Sequence, residues 1–156
     1  MKRVKTCSVV VLAAFAGLLL QASLVRAQAV PKSLRGHIIT NSKPIKIPNS
    51  MRGFVKKLRK QDRKAFSKTA DGQWEIHFVA FFKRPLPVEQ LGIVVLDAKN
   101  EPVAVANVAG TKGQKTLSTH IIVDTTETVK KKHTLKVYFA RGDKPVDLAK
   151  KQIVLK

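Results

Sequence analysis

The sequence predicts an all-β fold, an antiparallel sandwich, preceded by a basic extended arm and one amphipathic helix. Three observations carry this. From Gln73 to the C-terminus, apolar residues fall in six short runs with the alternation of strands. Turn signals separate these runs about every ten residues, the rhythm of antiparallel sandwiches and barrels. Upstream, Met51, Phe54, Val55, Leu58, Ala65 and Phe66 are spaced by threes, fours and sevens, which places them on one helical face.

The chain opens on MKRVKTCSVVVLAAFAGLLLQASLVRAQA. A basic start, an apolar run from Val9 to Leu20 and small residues before Val30 form the three-part pattern of a secretory signal peptide. The run is shorter than the roughly 20 residues a membrane-spanning helix requires. Residues 1–29 therefore read as a signal segment, cleaved after Ala29 or Ala27. Cys7 is the single cysteine and precedes the apolar run, whereas an acylated cysteine would follow it. The mature chain then has no disulfide, no thiolate nucleophile and no cysteine metal site. A periplasmic or secreted product is expected, with no transmembrane segment after signal removal.

The charge is uneven. The whole chain has 30 Lys and Arg against 10 Asp and Glu. Residues 30–69 hold twelve of the cations and one acid, Asp62, whereas residues 70–156 hold fourteen and nine. A concentrated basic field favours polyanionic partners and speeds encounter, but does not specify a fold.

Residues 30–50, VPKSLRGHIITNSKPIKIPNS, carry prolines at 31, 44 and 48. Each removes an amide donor and disfavours helix before it. This predicts an extended arm, with a short edge strand near His37–Thr40. Residues 51–69 form the basic amphipathic segment, with Ser50 placed to cap a helix. Lys56 and Lys60, Lys60 and Lys64, and Arg59 and Arg63 are like-charged pairs four apart, each opposing helix by roughly 0.2–0.5 kcal/mol. Asp62 interrupts the apolar stripe and Gly53 weakens its start. Such a helix needs a core to pack on or an anion to neutralise it. Lys56, Lys57, Lys60, Arg63 and Lys64 are accordingly the candidate anion- or partner-binding residues.

Residues 70–156 make the β region. In QWEIHFVAFF, Trp74, Ile76, Phe78, Ala80 and Phe82 alternate while Val79 and Phe81 make the other face apolar too. A strand apolar on both faces is central or covered. LGIVVLD and PVAVANV form a hairpin around AKNE, with Pro102 at a tolerated first position. TLSTHIIVD, TLKVYFA and the closing AKKQIVLK complete the set. The C-terminal stretch KKHTLKVYFARGDKPVDLAKKQIVLK resembles the last hairpin of bacterial immunoglobulin-like (Ig-like) or fibronectin type III-like domains. Those families often carry a tyrosine near the start of the penultimate strand, where this chain has His133, and the Cys-Trp-Cys core of antibody domains is absent. The resemblance implies a module for binding or spacing rather than a catalyst.

Catalytic and metal chemistry find little support in the spacing. No two of His37, His77, His120 and His133 stand three or four residues apart. Asp124 and Glu127 lack the further oxygen ligands a calcium loop uses. Ser118, His120 and Asp124 contain the letters of a triad, but alternation alone does not orient a base onto a nucleophile. No phosphate loop or dinucleotide fingerprint occurs. GTKG, at 110–113, and RGD, at 141–143, read as turns. Trp74 reads as a core residue rather than a sugar platform. No enzyme activity, cofactor or metal is expected. The expected role is non-catalytic binding at the cell envelope, to an anionic polymer, an anionic lipid or an acidic protein face. Electrostatics admits nucleic acid, though export makes it a less natural partner. The alternative is a structural or assembly module that pairs through a sheet edge, with the charge incidental.

Overall fold

A computed structural model describes residues 30–47, 53–124 and 131–156. The segment expected to be a signal, residues 1–29, lies outside the described residues, as do Ser50, Met51, Arg52 and Glu127. Among the described residues the fold is all-β, with two sheets and one α-helix. In chain order come β1 (Ile38–Asn41), α1 (Phe54–Gln61), β2 (Ala65–Phe66), β3 (Trp74–Phe81), β4 (Gln90–Leu96), β5 (Pro102–Ala109), β6 (Thr116–Val123), β7 (Lys131–Arg141) and β8 (Lys144–Leu155). All six runs expected after residue 70 are strands.

The smaller sheet has the order β1-β3-β6 and the larger β2-β8-β7-β4-β5. Pairing is antiparallel except between β2 and β8. Register shifts at Val95/Leu96 and Val137/Tyr138 interrupt the larger sheet. Bulges increase local twist, and this sheet curls into a half-barrel. Gly142 takes φ +59° in the two-residue turn that joins β7 to β8, so the RGD stretch is indeed a turn.

Trp74, Ile76, Phe78 and Ala80 of β3 face Leu91, Ile93, Val95, Leu135, Val137, Ile153 and Leu155 of the larger sheet across the main core. Trp74 is fully buried and donates its indole N–H to the Lys156 carbonyl at 2.9 Å, so its ring offers no sugar platform. Val79 and Phe81, on the other face of β3, belong to a second core with Ile39, Leu34, Phe54 and Leu58. The doubly apolar β3 is thus central in its sheet and covered by α1 and the arm. Gly92 of β4 has Tyr138 against it, and a Cβ there would run into the phenol ring. His133 points into the core at 1% exposure, its Nδ1 3.0 Å from the Lys131 carbonyl. Its Nε2 has no partner, and nothing in the structure accounts for that.

Two expectations are corrected here. The helix does not run through the basic segment to Phe66. It spans Phe54–Gln61, and Ala65–Phe66 form the parallel edge strand beside β8. The helix ends because tertiary partners claim its last turn. Asn41 Nδ2 donates to the Gln61 carbonyl at 2.7 Å, and Asp62 is already extended. Nor does the boundary at residue 70 separate a β domain from an arm. β1 and β2 belong to the two sheets, and residues 30–61 supply most of the second core.

Candidate functional site

Asp62 and Lys151 are each anomalous in sequence, Asp62 in a helical apolar stripe and Lys151 in the strand alternation Ala149, Ile153, Leu155. The fold puts them together as an ion pair. Lys151's side chain is 10% exposed and Asp62's 24%. Asp62 Oδ1 also accepts from the Thr40 backbone N–H at 3.0 Å, with Thr40 Oγ1 lying 3.4 Å away. Thr40 Oγ1 donates to the Arg63 carbonyl, and Arg63 N–H returns a bond to the Thr40 carbonyl at 2.6 Å. This node ties the smaller sheet, the helix end and the larger sheet.

Beside the node runs a groove of about 690 Å³, a volume in the small-ligand range. Its cationic walls come from Arg59 at the end of α1, Lys64 before β2, Lys132 on β7, and Lys150 and Lys151 on β8. Asp62 is the one carboxylate in its lining, and it is engaged with Lys151. Among the described residues, Arg59, Lys64, Lys132 and Lys150 form no ion pair, the three pairs being Glu75–His77, Asp147–Lys136 and Asp62–Lys151. Ile38, Ile39, Ile153 and Leu34 supply apolar surface beneath. Four unpaired cations over an apolar floor suit a ligand with several anionic groups on a carbon frame.

Of the five residues expected to bind an anion, Lys64 alone lines this groove. Lys56, Lys57 and Lys60 are exposed on the helix, and Arg63 is exposed in the extended link, its backbone spent on Thr40. The helix docks through Phe54 and Leu58, so it has a core to pack on without any ligand. Lys132 and Lys150 were not singled out by sequence reasoning. Their one signal was lysines repeating within strand runs, at KKH and AKKQ, far along the chain from the basic segment.

No protein-family model matches this chain, and neither does any curated protein. Among the described residues, no helix is long and apolar enough to cross a membrane.

Proposed function

We propose that the protein is an exported, non-catalytic binding protein of the cell envelope that holds a polyanion, an acidic polysaccharide or an anionic lipid headgroup, in the groove between α1, the arm and β8. The observation that carries this reading is the convergence of Arg59, Lys64, Lys132 and Lys150, none of them ion-paired among the described residues. Clustered cations attract polyanions and release their counterions on binding, so affinity depends steeply on salt. The fold reading behind it is an Ig-like sandwich. Support comes from the strand order, in which hairpins β4–β5 and β7–β8 share one sheet while β1, β3 and β6 make the other.

The test compares two triple variants of the 30–156 chain. Lys64→Glu/Lys132→Glu/Lys150→Glu is expected to weaken binding to heparin or to phosphatidylglycerol vesicles by at least about 100-fold, and to reduce the salt slope by roughly one for each anionic group no longer engaged. Lys56→Glu/Lys57→Glu/Lys60→Glu should cost less than about tenfold, through the general field alone. Isothermal titration across a NaCl series reads both, and preference between heparin and vesicles separates polysaccharide from lipid. An equal or larger loss in the helix variant would overturn the groove reading.

A second reading rests on β5, an edge strand of the larger sheet. PVAVANVA carries no charge, and Val105 is 59% exposed. An uncharged edge of this length invites strand pairing. If assembly rather than anion binding is the role, Val105→Lys would abolish self-association in sedimentation experiments and leave heparin binding untouched.

A further inference from the structure

We propose that His77 and His120 form a binding site for a divalent transition-metal ion of the copper(II) and zinc(II) class. The two are distant in sequence, yet they sit directly opposite each other on the antiparallel strands β3 and β6. Residues in such register share one face of the sheet. Their ring centroids are 5.3 Å apart, with planes inclined at 39°.

That separation is compatible with a shared ion. A metal–nitrogen bond of about 2.0–2.1 Å, with one ring radius added, puts each imidazole centroid about 3 Å from the metal. Two imidazoles at a tetrahedral angle then have centroids about 5 Å apart. His120 is exposed while His77's side chain keeps 16% exposure, so an ion reaches the pair from the His120 side.

Glu75 strengthens the argument. Its carboxylate Oε1 lies 2.9 Å from His77 Nε2. A carboxylate accepting from one ring nitrogen fixes the tautomer and orients the other nitrogen for a metal. No group of three or more His, Cys, Asp or Glu side chains converges on one point among the described residues. The protein therefore offers two imidazoles, with Glu75 as a positioning residue and water completing the shell. In a strongly basic chain, neither WEIHFVAF of β3 nor TLSTHIIV of β6 contains a lysine or arginine.

Imidazole sites follow the order in which copper(II) binds more tightly than nickel(II) or zinc(II). The experiment titrates copper(II) chloride, then zinc(II) chloride, into the 30–156 chain in a non-chelating buffer, read by calorimetry. Electron paramagnetic resonance of the copper form counts coordinated imidazoles. One ion per chain, with two nitrogen ligands and copper tighter than zinc, is expected. His120→Ala, at an exposed position, should weaken copper binding at least about tenfold, and Glu75→Gln about tenfold through loss of orientation. His37→Ala should leave it unchanged. Circular dichroism confirms that each variant is folded. Binding insensitive to His120→Ala, equal loss in His37→Ala, or a copper spectrum with a single imidazole would each overturn the assignment.

Discussion

Residues 70–156 expressed alone are expected to lose cooperative folding, although they contain six of the eight described strands. The cut removes β1 and β2 from the sheet edges and Leu34, Ile39, Phe54 and Leu58 from the second core. Val79 and Phe81, both buried at 0–1% exposure, would then face water. Ile38 and Phe66 leave the main core as well. Burying a large apolar side chain contributes about 1.5–3 kcal/mol. Six of them are comparable with the whole margin of roughly 5–15 kcal/mol that holds a domain folded. Trp74, the sole tryptophan and fully buried, reports the result directly through its emission on heating. A melting temperature within about 5 °C of the 30–156 chain, corresponding to roughly 1 kcal/mol in a domain of this size, would show that the arm and helix are dispensable.

Lys151→Met is expected to destabilise the protein by about 2–4 kcal/mol. Removing one partner of a buried ion pair strands the other charge, at about 3–5 kcal/mol when burial is complete. The smaller figure applies because Asp62's side chain keeps 24% exposure. Adding Asp62→Asn should recover much of the loss, since the amide oxygen can still accept from Thr40 while no charge is left unpaired. A double-mutant cycle in urea measures the coupling. The pair also sets a pH dependence. Burial pushes the Lys151 ammonium below its ordinary 10.5, outweighing the stabilising interactions with Asp62. In the window just below 10.5 the unfolded chain therefore binds more protons than the folded one. Stability from this group rises as pH climbs through that window, and Lys151→Met abolishes the component. Additive losses in the cycle would show that the two side chains do not interact.

Both results bear on the proposed site. The node at Asp62 fixes where α1 ends and β2 begins, and so where Arg59 and Lys64 stand relative to Lys132 and Lys150 on the larger sheet. Thr40→Val, which loosens the node, should blunt the groove's affinity without removing a groove lysine. The exposed helix cations Lys56, Lys57 and Lys60 would be less affected, because Phe54 and Leu58 hold α1 against β3 by apolar packing.

The sequence by itself determined what depends on near neighbours. Strand period located all six strands after residue 70, including the doubly apolar β3, because alternation is imposed by local backbone geometry. Helical spacing located Phe54, Val55 and Leu58 for the same reason. The expected strand near His37–Thr40 is β1. Tertiary structure decided whatever depends on distant partners. Asp62 looked like a flaw in a helix and Lys151 like a flaw in a strand, and only folding brings them together across 89 residues. Ala65 and Phe66 fit the helical face in spacing, yet the open edge of β8 took them as a strand, since backbone pairing there satisfies donors at Val154 and Lys156. Lys64 reached the groove, but Lys132 and Lys150 joined it through the β7–β8 pairing, which composition does not reveal. His77 and His120 read as unrelated strand residues because sequence spacing finds metal pairs within one element, whereas register across two strands is set by the whole sheet.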